Sequence, residues 1–309
     1  MQNLARAEEN QFSSSSMQKI LECVPNFSTG ESHTLAQILK SIKKIYGIKV
    51  LDFTSDTNHN RSVITFTGPP ENVVKAAFEA TKTSSKLIDL NKHKGVHPRI
   101  GATDVIPLIP LKNIPTKEAV KYSRQLGERI AEELKIPVYF YEKAATIKSR
   151  KNLADIRNIG YEQLKKEINK NPSRYPDLGP KHLGTSGAVA VGVRDILIAF
   201  NINLKTPDLK IAKKIANKIR EKSGGLKYVK ALGLKLKTRN IAQVSMNLTN
   251  YKKTPPIKVF AKVKKLAKKY KTDVLESELI GLIPKSALKA TSPEKLQLKN
   301  FSKEKLLKI

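Results

Sequence analysis

Histidines are the side chains best suited to move protons near neutral pH, and this sequence contains five of them. They are His33, His59, His93, His97 and His182. None stands in the H-E-x-x-H pattern of a zinc-binding helix. His93 and His97 are four residues apart and would share one helix face, but Gly95 and Pro98 argue against a helix there. Since Cys23 is the one cysteine of the chain, we predict neither a metal site nor a disulfide framework.

Three polar loops carry the other residue types that could do chemistry. Residues 93–102 join an imidazole to an arginine through a proline, but spacing alone favours a capping loop whose histidines bond locally. Residues 54–61 form either a solvated turn or a ligand-facing loop in which Arg61 binds a carboxylate. Residues 177–188 contain three glycines, which suit either a flexible connector or a backbone that approaches a flat ring.

The elements that must position these loops follow from the apolar periodicity of the first half of the chain. Strands are expected at residues 19–24, 48–53, 62–67 and 103–109, with helices at 35–45 and 71–88. This order is the βαββαβ or split βαβ pattern. A helix at 118–134 and a strand at 137–141 follow, and then a short helix at 161–168. The Pro- and Gly-rich residues 171–187 predict a long loop that is functional or a linker.

The second half repeats the same order. Strands are expected at residues 195–204, 227–236, 241–248 and 273–279, with helices at 209–219 and 259–270. We therefore predict an α/β chain, an α+β sandwich of two ferredoxin-like βαββαβ subdomains with mixed or antiparallel sheets. Ligands often bind where two such subdomains meet.

The predicted domain limits come from changes in composition. Residues 1–16 are expected to be a disordered extension, 17–180 the N-terminal subdomain and 181–290 the C-terminal subdomain. Residues 291–309 form a basic tail that is either a frayed helix or disordered.

The net charge of +31 admits two interpretations, a surface for nucleic acid or a lysine-rich surface that keeps a compact protein soluble. The second is favoured because the lysines are scattered along helices, and because nine Phe, nine Tyr and no Trp provide no basic-aromatic pattern for stacking bases. No run of eighteen apolar residues exists, and the N-terminus lacks the apolar core of a secretory signal. We therefore predict a cytoplasmic protein that does not bind membranes.

Seven blocks of sequence carry a resemblance to a known family. They are residues 22–28 (ECVPNFS), 97–105 (HPRIGATDV), 137–142 (PVYFYE), 176–180 (PDLGP), 199–204 (AFNINL), 243–247 (QVSMN) and 277–284 (SELIGLIP). In these blocks and their order, the chain resembles the glutamate formimidoyltransferases from about residue 19 to residue 290. It departs from the animal members in having Ser186 where they carry an aromatic residue. It also ends where their cyclodeaminase half would begin, so we expect transfer without cyclodeamination.

The resemblance implies the roles of particular residues. It implies that His97 is catalytic, that ligands lie between the two subdomains, and that the protein is a homodimer. The stretch it assigns to folate binding consists of Gly179, Pro180, Lys181, His182, Leu183, Gly184, Thr185, Ser186 and Gly187.

The predicted reaction moves the formimino group of N-formimino-L-glutamate to N5 of tetrahydrofolate, a co-substrate, in histidine degradation and one-carbon metabolism. His97 would take a proton from the attacking nitrogen and return one to the departing nitrogen. Arg61, Arg99 and Arg194 are candidates for the substrate carboxylates, and for each the alternative is a structural salt bridge. Two rival functions stay open: a transferase that uses N-formyl-glutamate, and a basic nucleic-acid-binding protein with a ferredoxin-like sheet.

Overall fold

A computed structural model describes residues 18–57, 60–95, 98–299 and 301–307. The predicted extension, His59 and His97 therefore lie outside the described residues. The chain divides into two compact units, one ending at Arg194 and the other beginning at Asp195. Each unit has its own apolar core.

The first unit is built on a seven-stranded mixed sheet. Its strands are β1 (Ile20–Cys23), β2 (Asn26–Phe27), β3 (Lys49–Asp56), β4 (Arg61–Gly68), β5 (Thr103–Lys112), β6 (Val138–Glu142) and β7 (Val189–Val193). Both β1 and β2 lie between β4 and β5 and are antiparallel to each of them, and β3 pairs with β4. These strands have the ferredoxin-like order, which β7 and β6 extend by parallel pairing beyond β5.

In the described part of the first unit, five helices accompany this sheet. They are α1 (Ser32–Lys43), α2 (Pro70–Leu87), α3 (Thr116–Leu134), α4 (Leu153–Arg157) and α5 (Gly160–Glu167). α2 shows why these segments are helical: it starts on a proline, has Glu71 in its first turn and buries one apolar face. Val73, Ala77 and Ala80 on that face are at most 1% exposed.

The second unit has the complete ferredoxin-like topology. Its elements are β8 (Ile198–Leu204), α6 (Leu209–Ile219), β9 (Val229–Leu236), β10 (Ile241–Leu248), α7 (Pro256–Lys269) and β11 (Val274–Ile280). The four strands form an antiparallel sheet in the order β11-β8-β10-β9. The predicted α+β class with mixed and antiparallel sheets is thus confirmed.

The division between the units differs from the predicted one at residues 180 and 181. Residues 181–194 belong to the first unit because β7 is inserted as a fully buried strand between β5 and β6. Its sequence, VAVGV, is a continuous apolar run of the kind found in parallel strands buried on both faces. The sequence analysis predicted no element for this segment, which lies between the loop that ends at residue 187 and the strand expected at 195–204.

The basic tail is ordered where the structure describes it, unlike the predicted frayed helix or disordered segment. Leu296 is fully buried, and the backbone on either side of Leu298 bonds to Ser277 of β11, the edge strand. A two-residue strand, β13 (Leu306–Leu307), pairs in parallel with β12 (Ile283–Pro284). An edge strand exposes unpaired backbone groups, and the tail pairs with those of Ser277.

Candidate active site

A polar cleft in the first unit brings together two of the loops singled out in the sequence, residues 54–61 and 93–102. Its lining consists of Asn26, Phe27, Ser28, Asn60, Arg61, His93, Arg99 and Asp104. The residues come from β2 and the residue after it, from the β3–β4 turn and the start of β4, from the loop between α2 and β5, and from the start of β5. Residue 97 stands in the sequence of the loop between α2 and β5, and two described residues of that loop, His93 and Arg99, line the cleft.

Asn60 connects three of these loops. Its backbone is left-handed, with φ of 47°, a conformation that asparagine tolerates better than most residues. The side-chain oxygen accepts the backbone N–H of Gly30 at 2.7 Å, and the side-chain amide donates to the carbonyl oxygen of Lys94 at 2.9 Å. The backbone oxygen of Asn60 lies 3.0 Å from Nε2 of His93. The sequence analysis did not single out Asn60.

The contact of His93 with Asn60 defines the tautomer of the imidazole. A carbonyl oxygen can only accept, so Nε2 carries the proton and Nδ1 is left as an acceptor. Burial lowers the pKa of His93 below its ordinary value, which favours the neutral ring at neutral pH. Nδ1 is buried, and no described residue hydrogen-bonds to it.

Arg61 puts a positive charge at the cleft. It begins β4, pairs in register with Asp56 of β3, and donates from Nη2 to the side-chain oxygen of Asn26. Burial and, to a smaller extent, the charge of nearby Arg157 lower the pKa of Arg61 to about 10, although the carboxylate of Asp104 acts in the opposite direction. The guanidinium therefore stays protonated at neutral pH.

The other two candidate arginines are placed differently. Arg99 lines the cleft, but Nη2 donates to Glu162 at 2.7 Å and to the backbone oxygen of His93 at 3.1 Å. Arg194 follows β7 and lies close to Glu22, outside the lining of the cleft. Burial raises the pKa of Glu22 to about 7, although Arg194 acts in the opposite direction.

The stretch Gly179–Gly187 runs beside the loop that follows residue 97. Ala102 donates its N–H to Ser186 at 2.8 Å, Ala188 donates to Ile100 at 2.8 Å, and Gly101 bridges to Gly187. A Cβ on Gly187, whose φ is 69°, would lie 2.2 Å from the carbonyl oxygen of Ile100. Only glycine allows this close approach of two backbones.

Part of the same stretch faces outward. Lys181, His182, Gly184 and Thr185 are exposed, whereas Leu183 is buried at 7% exposure. A Cβ on Gly184 would meet no atom within 4 Å. The stretch therefore combines an anchored end at Gly187 with exposed residues between positions 181 and 185.

Asp104 and Arg157 form a buried ion pair at the base of the loop, with Oδ2 and Nη2 2.7 Å apart. Asp104 lies within one of the seven sequence blocks, but neither residue was predicted as part of the site. The one signal in the sequence is the acidic residue of the HPRIGATDV block. The pairing itself could not be predicted, because 53 residues separate the partners. Glu162 and Asn26 were missed for the same reason.

Two searches of the described part of the chain were negative. No group of three or more His, Cys, Asp or Glu residues among residues 18–57, 60–95, 98–299 and 301–307 could hold a metal ion. Within the same ranges, every helix is too short or too polar to cross a membrane.

Comparisons with known proteins match nearly the whole described chain. The family model for the N-terminal subdomain of the formiminotransferase domain matches residues 20–194, and the model for the formiminotransferase domain matches residues 199–305. These limits agree with the division of the chain after Arg194.

Curated relatives align over similar lengths. A glutamate formimidoyltransferase of Thermoplasma acidophilum is 45% identical over 93% of this chain and 96% of its own length. A glutamate formimidoyltransferase of Streptococcus pyogenes is 43% identical over 94% and 97%, respectively. The formimidoyltransferase-cyclodeaminase of Gallus gallus is 42% identical over 88% of this chain but only 51% of its own length.

Proposed function

Because the chain belongs to the formiminotransferase domain family, we propose that it is a glutamate formimidoyltransferase. It would transfer the formimino group of N-formimino-L-glutamate to N5 of tetrahydrofolate, giving 5-formimidoyltetrahydrofolate and L-glutamate. The observation that carries the proposal is the nearly full-length alignment, at 43% and 45% identity, with two proteins of that name. The cationic cleft in the first unit agrees with a donor that carries two carboxylates.

The reaction requires two proton transfers. The attacking nitrogen must lose a proton when its bond to the formimino carbon forms. The glutamate nitrogen must gain one when its own bond to that carbon breaks, because an amide anion is a very poor leaving group. One imidazole can do both in turn, since its reference pKa of about 6.5 lies near neutral pH. We assign this role to His97.

Arg61 is our first candidate for a carboxylate of the donor. Its planar guanidinium can make paired, charge-assisted hydrogen bonds, and it lines the cleft beside the loop of residue 97. Arg99 also lines the cleft, but its contacts with Glu162 and His93 suit a residue that braces the loop. Arg194, which lies beside Glu22, ranks third.

The stretch Gly179–Gly187 is our candidate for the pterin. The open space around Gly184 leaves room for a flat ring, and the close contact at Gly187 holds that surface against the loop of residue 97. Lys181, which lies 3.7 Å over the ring of Tyr175, adds a positive charge for an anionic ligand. Holding both reactants side by side removes much of the entropic barrier to transfer. We also propose that the protein is cytoplasmic, as its composition predicts, and a homodimer, as the resemblance implies.

The test is an absorbance assay with tetrahydrofolate and N-formimino-glutamate, followed by acid treatment that converts the 5-formimino product to the strongly absorbing methenyl form. We expect a signal that requires both substrates. His97→Ala should lower turnover by about 10²- to 10⁴-fold. The matched control is His33→Ala, an exposed histidine whose ring contacts Gln37 at 3.4 Å, and this variant should keep full activity.

The possible results separate function from residue assignment. If the wild-type protein is inactive with N-formimino-glutamate but active with N-formyl-glutamate, then N-formyl-glutamate is the donor substrate. Inactivity with both donors would refute the proposed function. An active His97→Ala variant would leave the function standing and remove His97 from the mechanism.

A further inference from the structure

We propose that the buried pair Asp104–Arg157 is a positioning pair for His97, which holds the backbone of the catalytic loop so that the imidazole meets both substrates. The role of His97 rests on the function proposed above. Neither Asp104 nor Arg157 is assigned to the cleft chemistry itself. Each acts through the loop that carries His97.

The contacts of the pair are directed at the loop residues next to His97. Oδ1 of Asp104 accepts the backbone N–H of Ile100 at 2.8 Å, while Oδ2 pairs with Nη2 of Arg157 at 2.7 Å. The same Nη2 donates to the backbone oxygen of Pro98. One carboxylate and one guanidinium thus fix the chain at the first and third residues after His97.

Both members of the pair belong to regular secondary structure. Asp104 is the second residue of β5, a strand paired on both sides, and its side chain is 4% exposed. Arg157 ends α4, and its side chain is 12% exposed. A loop held by a rigid strand and by a helix end loses little entropy when substrates bind, which is how preorganised sites gain rate.

A buried ion pair is a poor device for stability alone. Desolvation of the two charges can cancel their attraction, and an apolar pair of similar size often stabilises a protein as well. Here Asp104 lines the cleft, Arg157 pairs with it at 2.7 Å, and both charges influence Arg61. This placement fits a role in the geometry and charge of the site.

The chain contains a second buried pair that serves as a matched control. Nη1 of Arg150 lies 2.7 Å from Oδ1 of Asp177, with side chains 11% and 6% exposed. Asp177 also accepts a backbone N–H, from Phe140 at 2.8 Å, and Arg150 also donates to a backbone oxygen, that of Tyr175. The local chemistry is the same, but the backbone it holds is outside the loop of residue 97.

The kinetic test compares Arg157→Lys and Asp104→Asn with Arg150→Lys. Lysine keeps the charge but loses the second donor arm, and asparagine keeps the acceptor for Ile100 but loses the charge. We expect kcat to fall about 10- to 100-fold in the first two variants, the size of effect that a misplaced catalytic group produces. The KM values of both substrates should change less than about threefold, and Arg150→Lys should retain kcat. Equal losses of kcat in Arg157→Lys and Arg150→Lys would overturn the proposal.

A second measurement does not depend on activity. The histidine ring signals of the isotope-labelled protein are recorded by NMR, and the His97 signal is identified by its loss in His97→Ala. We expect it to shift or broaden in Arg157→Lys and Asp104→Asn but to stay in place in Arg150→Lys. An unchanged His97 signal in Arg157→Lys overturns the positioning role even if wild-type protein transfers no formimino group, so this result is independent of the proposed function.

Discussion

Arg61 is the residue whose substitution tests the cleft most directly. Arg61→Lys keeps a positive charge at the start of β4 but removes the planar fork that can bind a carboxylate with two parallel hydrogen bonds. It also removes the donor that now bonds to Asn26. Because the charge is retained, any weaker binding of N-formimino-glutamate then reports on the geometry of the guanidinium.

The expected size follows from the strength of such bonds. A hydrogen bond to a charged group is worth about 1.5–3 kcal/mol, and each 1.4 kcal/mol is about a tenfold change in affinity. Arg61→Lys should therefore raise KM for N-formimino-glutamate roughly 10- to 100-fold, with little change in KM for tetrahydrofolate. Because the pKa of Arg61 is about 10, the wild-type KM should stay constant from pH 6 to 9 as far as this group is concerned. It should rise when the pH passes 10 and the cation is lost.

Initial-rate kinetics with one substrate varied at a time distinguish the outcomes. The control is Arg129→Lys, a residue on α3 that pairs with Glu133 on the surface, where both side chains are more than 40% exposed. This variant should leave both KM values unchanged. A rise confined to tetrahydrofolate would place Arg61 at the pterin, and no rise in either KM would make Arg61 a structural residue.

Three further variants test packing, burial and surface charge. Gly187→Ala puts an alanine in a left-handed backbone conformation, with its Cβ 2.2 Å from a carbonyl oxygen. Urea unfolding should show that the free energy of unfolding falls by about 2 kcal/mol or more. For Gly184→Ala, whose Cβ would meet no atom within 4 Å, the fall should be about 0.5 kcal/mol or less. Burial raises the pKa of Glu22 from 4.5 to about 7. Between these two pH values the folded state retains a proton that the unfolded state releases. The free energy of unfolding should therefore fall by about 3 kcal/mol as the pH rises from 4.5 to 7. Glu22→Gln should abolish that fall, and a variant with the wild-type pH dependence would show that another group causes it. Lys265 lies three or four residues from Lys262, Lys268 and Lys269 on α7, so Lys265→Glu should raise the unfolding free energy by about 0.5–1 kcal/mol at low salt, and a loss of stability would contradict this interpretation of the helix surface.

The charge of the chain shows what tertiary structure adds to composition. The helices α6 and α7 of the second unit carry four and six lysines, respectively, and no acidic residue. By contrast, α3 of the first unit balances lysines and arginines with glutamates. The two helices of the second unit therefore carry an unbalanced positive charge, whereas α3 of the first unit does not.

Regular elements were predictable because each follows a local period. The helix expected at residues 71–88 is α2, Pro70–Leu87, and the strand expected at 62–67 is β4, Arg61–Gly68. Their apolar residues recur at 3.6 or 2 positions and are bounded by proline or glycine, signals that need no distant partner. The strand β7 was missed because its run of apolar residues has no such period. Its identity as a strand depends on pairing with β5 and β6, far away in the sequence.

The sequence by itself determined the family, the α+β class and the loops in which candidate residues stand, since these depend on residue types in a fixed order. Tertiary structure decided which candidates share a cleft: Arg61 and Arg99 line it, and Arg194 does not. It also joined Asp104 to Arg157 across 53 residues, and Asn60 to Gly30 across 30. Such contacts form only when separate elements pack together, and a buried charge or amide must then find its partner wherever the fold has brought one.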